Sequence, residues 1–359
     1  MRLLHTADWH LGKTFKGQPL LDDQKFILDE IFHVIAAEKI DAILIAGDIY
    51  DRAVPPIDAV DLFDETLNRL AEKNLPTLII AGNHDSATRL NFGSKLFERQ
   101  KIFIASKVNV SPVTVPIDDD FGKIYFTLLP FAEPVALNAM INSARQKIPS
   151  GKRNVAVAHA FLTGGIESDS ERKFVGGTSN VDAQIFNGYD YVALGHLHRP
   201  QKISAENIRY AGSPLKYSFD EATHKKSVTI VELDGNGFVD VEKISLTPRR
   251  DVRIVTGTLA ELKKFPRTED YIHARLTKRE INAQDKLADV FPNLLSIEFV
   301  LPQEISIGNT MTTAPREGGS TLDYFADFFA EQTGEPLSDD YRAAMQNLLI
   351  ELARDEREA

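Results

Sequence analysis

An α/β layered core, followed by a smaller α/β unit and a helical tail, is the fold class that this 359-residue sequence predicts. Three observations predict it. Short apolar, largely β-branched runs alternate with helical stripes through the first two-thirds of the chain. A hairpin pattern and a second strand–helix alternation come next, and a stretch rich in Thr, Gly and Pro then leads into two amphipathic segments. The length fits about two domains as a starting expectation.

The elements justify themselves in chain order. Residues 2–5, 42–46, 77–81, 154–158 and 191–194 are short and apolar enough to be buried strands. Between the second and third lies Asp58 to Lys73, where Val60, Phe63, Leu67 and Leu70 recur at helical spacing and give one apolar face. Residues 227–233 and 238–246 flank Asp234-Gly235-Asn236-Gly237 and read as a hairpin. The smaller unit reads as strand 251–256, helix 258–264, strand 270–277, helix 284–290 and strand 295–301. Two helical stripes close the chain: Leu322, Phe325 and Phe329, then Tyr341, Met345, Leu348, Leu349 and Leu352, divided by Gly334-Glu335-Pro336.

Composition narrows the function. Hydrophobic residues make up 43% and charged residues 26%, ordinary for a soluble chain with a sizeable core. No apolar run reaches 18 residues, so no membrane helix is expected. The start, Met1-Arg2-Leu3-Leu4-His5-Thr6-Ala7-Asp8, turns polar too early for a signal peptide. Without cysteine, disulfides and thiolate metal sites are excluded, and a reducing cytoplasm is the expected compartment. The net charge of −11 counts against a protein that coats nucleic acid broadly. That charge is uneven: residues 320–359 carry ten acidic and three basic side chains, leaving the rest nearly balanced and free to form a local cationic groove.

The chemistry gathers where the strands end. Asp8-Trp9-His10, Gly47-Asp48, Gly82-Asn83-His84-Asp85, His159 and Gly195-His196-Leu197-His198 each follow one of the apolar runs. Loops beyond the carboxyl ends of strands in α/β sheets are where ligands bind, so groups far apart in sequence are expected to meet. Imidazole, carboxylate and amide oxygen suit Mn, Fe or Zn, and one carboxylate can bridge two ions. Two ions about 3.5–4 Å apart activate a water and stabilise both oxygens of an in-line displacement, the help that an anionic phosphodiester needs. A lone Asp-x-His is weak evidence, and Gly-Asp after a strand is often only a turn. Five such elements, each at a strand end, point together to a metal site. His5 lies close enough in sequence to Asp8 to support a ligand. His33, His224 and His273 read as structural or solvent-exposed.

In this order these motifs resemble the signature of the calcineurin-like metallophosphoesterases. The resemblance implies a β-sandwich flanked by helices. It implies that Asp8, His10, Asp48 and His198 hold one ion and that Asp48, Asn83, His159 and His196 hold the other. It makes His84 the acid that protonates the leaving oxygen, with Asp85 orienting its ring. Three further segments are similar to the nuclease subunits of bacterial SbcCD complexes, which process DNA double-strand ends: residues 5–13, Gly47–Arg52 with Pro55-Pro56, and Tyr210–Phe219. That likeness implies a nuclease domain over 1–248, a capping domain over 249–302, a linker over 303–320 and a tail over 321–359 that binds a coiled-coil ATPase subunit, SbcC. It also implies Mn-dependent 3′–5′ exonuclease and hairpin or single-strand endonuclease activity. At Asp51, archaeal and eukaryotic relatives carry a histidine, so that residue's role here is open.

Beside the metal loops, Lys13, Lys16, Arg52 and Arg89 are cations placed for phosphate, Arg52 and Arg89 foremost, although each also reads as a solvated charge. The helix over 58–73 and the segment Leu90–Phe97 read either as core or as a homodimer contact. Two other functions fit the same residues: a phosphodiesterase for a small or lipid-linked substrate, and a scaffold that recruits an ATPase to DNA ends without catalysis.

Overall fold

The computed structural model of the chain describes residues 1–171, 180–300 and 320–358. It divides into two units, Met1–Arg253 and Ile254–Ala359. In the first, β1 (Arg2–Thr6) leads into a two-residue hairpin of β2 (Thr14–Phe15) and β3 (Gln18–Pro19), then α1 (Leu21–Ala37). There follow β4 (Ala42–Ile45), α2 (Ile57–Lys73), β5 (Thr77–Ile80), the one-turn helices α3 (Ala87–Leu90) and α4 (Ser94–Phe97), and β6 (Ile102–Ala105). Next come β7 (Val113–Asp119), β8 (Gly122–Leu129), α5 (Pro134–Lys147), β9 (Arg153–His159) and β10 (Tyr191–Gly195). The unit's last strands are β11 (Gln201–Ile203), β12 (Ala205–Tyr210) and the hairpin of β13 (Ser227–Asp234) with β14 (Gly237–Ser245).

These strands build two six-stranded sheets, ordered β14-β13-β1-β4-β5-β6 and β11-β12-β10-β9-β8-β7. The centre of each is parallel: β1, β4, β5 and β6 in one, and β8, β9, β10 and β12 in the other. Parallel strands must be covered on both faces, which is why β4 and β5 are buried at every residue. One core, including Leu3, Leu44, Leu78, Phe126, Val155 and Tyr191, takes side chains from both sheets and fills the space between them. Helix α5 covers the second sheet with Leu137, Met140, Ile141 and Ala144. The fold is thus a mixed α/β sandwich with helices, and the parallel arrangement sets β1, β4, β5, β9 and β10 so that their carboxyl ends carry all the metal-binding motifs.

Helix α2 buries Ala59, Leu62, Phe63, Thr66, Leu67 and Leu70. Val60, read from its spacing as part of that face, is instead 43% exposed: with 3.6 residues per turn the buried stripe centres near Ala59 and Leu70, about 90° round the helix from Val60, which falls at its edge. Helices α1 and α5 are additional to those the sequence pattern predicts.

The second unit has its own core of Val255, Leu262, Ile272, Leu276, Leu287, Phe291 and Leu294. Its three-stranded sheet is β15 (Val252–Gly257), β16 (Tyr271–Leu276) and β17 (Leu294–Phe299). The intervening helices α6 (Leu259–Leu262) and α7 (Ala283–Leu287) are single turns, shorter than their sequence patterns suggest. The linker read over 303–320 lies outside the described residues apart from Ser320, as does the end of the strand read to 301. Helices α8 (Thr321–Thr333) and α9 (Asp339–Glu358) form the tail. Ser320 and Asp323 build a capping box on α8, and Gly334 ends it in the left-handed conformation. The rings of Phe329 and Tyr341, 5.4 Å apart, link the two helices. No described side chain from 320 to 349 is fully buried.

Candidate metal centre

Asp8, His10, Asp48 and His198 are almost wholly buried, and so is His159. Asn83 and His196 are partly buried at the same place. Such a density of desolvated polar groups persists only where each is paired. Asp48 is the hub. Its Oδ2 lies 3.7 Å from His10 Nε2, 3.5 Å from His159 Nε2 and 4.0 Å from His84 Nε2. On one side of it, the Nε2 atoms of His10 and His198 approach to 3.0 Å. On the other, Asn83 Oδ1 is 3.0 Å from His159 Nε2 and 2.9 Å from His196 Nδ1. Donor atoms thus converge in two groups that share Asp48. Asp8 receives the backbone N–H of His196 on its carboxylate, and its Oδ1 is 3.9 Å from His159 Nδ1.

The electrostatics fit a positive charge at the centre of each group. Burial pushes the Asp8 carboxyl up and the imidazoles of His10, His196 (to about 3) and His198 down, the neutral form that ligates metals. Burial also pushes on His159, but Asp48 and Asp8 outweigh it and lift that ring to about 9. Two buried carboxylates therefore draw a cation into their midst, and the oxygen and nitrogen donors around them suit hard and borderline divalent ions. His10, Asp48 and His84, and separately Asp8, Asp48 and His159, have ligand atoms close enough to share an ion.

The backbone is bent to bring these groups together. Asp8, His10, Asp48 and His196 all have positive φ, at 55°, 47°, 51° and 111°, a region that non-glycine residues enter at a cost. Glycine is required where the chains touch. A Cβ on Gly82 would lie 2.1 Å from Asp48 Oδ1, and one on Gly195 would lie 1.9 Å from the Ala46 carbonyl oxygen.

His84 donates from Nδ1 to the Asp51 carbonyl at 2.7 Å, which turns Nε2 towards the cluster. The Asp85 carboxylate accepts three backbone N–H groups, from Ile49 (3.1 Å), Tyr50 (2.9 Å) and Gly82 (2.9 Å). It ties the loop after β4 to the loop after β5. The side chain of Asp51 pairs with Lys13 at 2.8 Å and sits 3.6 Å from His10 Nδ1. Arg52 and Lys16 are exposed on the neighbouring loops, and Arg89 is exposed on α3. His5 is buried outside the cluster, between Tyr191 Oη (3.0 Å) and the Leu194 carbonyl (3.1 Å), where burial lowers its pKa to about 3.

Several residues around the site carry no metal-binding signal in the sequence. Gln24 holds the loop after β1 by accepting from the Gly12 N–H and donating to the His10 carbonyl. Tyr217 donates to the Trp9 carbonyl at 2.5 Å. Ser170, Glu171, Glu221 and Lys226 surround His198. None of them belongs to a metal-binding dipeptide, and their partners are distant in sequence.

Residues 1–200 match the calcineurin-like phosphoesterase family. The D subunit of the SbcCD nuclease from Staphylococcus saprophyticus subsp. saprophyticus is 36% identical over 324 residues, which are 83% of this chain and 84% of that protein. Its counterpart in Staphylococcus epidermidis is 35% identical over 327 residues, 84% of this chain and 86% of that protein. The solved structure of TT1561 from Thermus thermophilus covers 68% of this chain and 98% of its own, at 13% identity and a TM-score of 0.41, too distant to bear on the fold.

Proposed function

The chain belongs to the calcineurin-like phosphoesterase family, and from that premise we propose that it is the nuclease subunit of a DNA end-processing complex. The observation that carries the chemistry is the pair of donor groups sharing Asp48. In this reading Asp8, His10, Asp48 and His198 hold one divalent cation, and Asp48, Asn83, His159 and His196 the other, with Mn the physiological ion. When bound, such a pair supplies Lewis-acid polarisation of the phosphate and activation of a water.

The chain's own residues do the rest. His84 presents Nε2 to the space beside Asp48, and its Nδ1–H rests on the Asp51 carbonyl, which holds the ring in that orientation. It protonates the leaving oxygen, worth about 10²–10⁴-fold in rate. Asp85 acts one step removed, by fixing the two loops that carry Asp48 and His84. Arg52 and Arg89, exposed beside the cluster, hold the DNA backbone. The reaction is 3′–5′ exonucleolytic on ends and endonucleolytic on hairpins and single strands, in the cytoplasm.

Two surfaces fit protein partners. Along the tail, Leu322, Phe325, Phe329, Tyr341 and Met345 are only half-buried, and Phe328 is 58% exposed, as befits a helical hairpin that a coiled-coil ATPase, SbcC, completes. At the start of α2 and in the segment 92–96, Ile57 (78% exposed), Phe92 (85%) and Leu96 (67%) fit a second copy of this chain, an arrangement self-complementary about a two-fold axis. The function is tested by incubating the purified chain with Mn²⁺ and either duplex DNA or bis(p-nitrophenyl) phosphate. Cleavage of DNA ends is expected. Turnover of the small diester alone would replace the nuclease with a small-molecule phosphodiesterase, and inertness towards both would leave a scaffold.

A further inference from the structure

Behind His198, away from the converging donors, lies a buried charged network that metal ligation does not account for. Lys226 is 6% exposed and Glu221 is fully buried. The Lys226 ammonium has three N–H groups and spends them on the His198 carbonyl (2.8 Å), Ser213 Oγ (2.8 Å) and Glu221 Oε2 (2.5 Å). The other oxygen of Glu221 accepts from Ser170 Oγ at 2.5 Å, Ser218 Oγ at 2.9 Å and the Tyr217 N–H at 3.3 Å. Ser170 Oγ is in turn 2.6 Å from His198 Nδ1, and Glu171 receives the His198 backbone N–H at 2.5 Å.

The hydroxyl has one proton to donate. Glu221 already receives Lys226 Nζ, the Tyr217 N–H and Ser218 Oγ, and Ser170 Oγ donates to it, so Ser170 is left to accept from His198 Nδ1–H. His198 is thereby fixed in the tautomer whose Nε2 lone pair faces His10. Residues that ligate metals through one ring nitrogen are commonly oriented in this way through the other. The remaining ligands are served differently. His159 donates Nδ1–H to the uncharged Ala46 carbonyl, and His10 Nδ1 has no hydrogen-bond partner among the described residues. A buried ion pair is seldom more stable than apolar residues of the same shape, so stability alone gives little reason for Glu221 and Lys226 to be here.

We propose that Ser170, Glu221 and Lys226 are positioning residues that orient His198 and so set the affinity of the cation it shares with His10, leaving the cation at Asn83, His159 and His196 untouched. The proposal rests on the two-cation reading above. Isothermal titration of the full chain with MnCl₂ tests both, with the electron paramagnetic resonance of the bound Mn²⁺ as a second readout. Wild type is expected to take up two ions that give a spin-coupled signal. Ser170→Ala removes the relay while leaving the Glu221–Lys226 pair intact. It is expected to bind one ion as before and the other about 10–100-fold more weakly, with the spectrum of an isolated ion at one equivalent. Ser170→Thr, which keeps the hydroxyl, is expected to restore the second ion. Two ions at wild-type affinity in Ser170→Ala would overturn the proposal. So would equal weakening at both sites together with a fall in melting temperature, which marks a purely structural role. If wild type itself binds fewer than two ions, the two-cation reading fails first and the proposal with it.

Discussion

Replacing Asp85 with alanine separates a structural carboxylate from a chemical one. Three backbone N–H groups, from Ile49, Tyr50 and Gly82, end on this side chain, and they belong to the loops that carry Asp48, Asn83 and His84. Removal leaves three donors without an acceptor in a water-poor region, at about 1–3 kcal/mol each. Water entering the truncated site recovers part of this, so a net loss of about 3–5 kcal/mol is expected for Asp85→Ala. Asp85→Asn keeps one accepting oxygen but turns an NH₂ towards a donor, and about half that loss is expected. Urea unfolding of the metal-free chain at neutral pH measures both. Metal affinity should fall along with stability, because the loop after β4 is then free to carry Asp48 away from the other donors. A loss below about 1 kcal/mol in Asp85→Ala, with cleavage nonetheless abolished, would refute this reasoning and place the carboxylate in the reaction itself.

His84→Gln should lower kcat for DNA cleavage by about 10²–10⁴-fold while Mn²⁺ stoichiometry stays at two, and a lost ion would make His84 a ligand. The Asp119 carboxylate, hydrogen-bonded to Arg153 with the chain's amino group 3.6 Å away, is held down at about 2. A depressed carboxylate stabilises the fold above its unfolded value and ceases to as pH falls through its folded one. The stability advantage of wild type over Asp119→Asn should therefore be about 2 kcal/mol at pH 6 and about half that at pH 3. A gap that does not change with pH between 6 and 3 would contradict it. Deleting residues 320–359 should abolish co-purification with the ATPase subunit and leave Mn²⁺-dependent cleavage by the chain alone; retained ATPase binding would make the tail merely structural.

What was legible in the sequence followed short-range physics. Continuous apolar runs such as Ala42–Ile45 and Thr77–Ile80 announce strands buried on both faces. The Asp, Asn and His residues at their ends then fall into place, because the parallel strands of each sheet end on one edge and the edges of the two sheets meet at the site. Helix α1 has a readable stripe in Ile27, Leu28, Ile31, Phe32 and Ile35, while α5 has a weaker one diluted by Asn138, Asn142 and Ser143. Hidden from any local reading were the contacts made across the fold. Glu221 and Lys226 look like ordinary surface charges until Ser170 and His198 arrive beside them. Asp85 sits within a ligand motif, and only the coordinates reveal that its oxygens serve backbone amides. The positive φ at Asp8, His10, Asp48 and His196 suits Asp and His, which enter that region more readily than most residues, but nothing local in the sequence marks these four positions for it.

The most direct test of the account is anomalous diffraction from crystals of the chain soaked in Mn²⁺. Two peaks are predicted, one touched by Asp8, His10 and His198, the other by Asn83, His159 and His196, with a single Asp48 carboxylate reaching both. A lone peak, or a pair that Asp48 does not bridge, would contradict it.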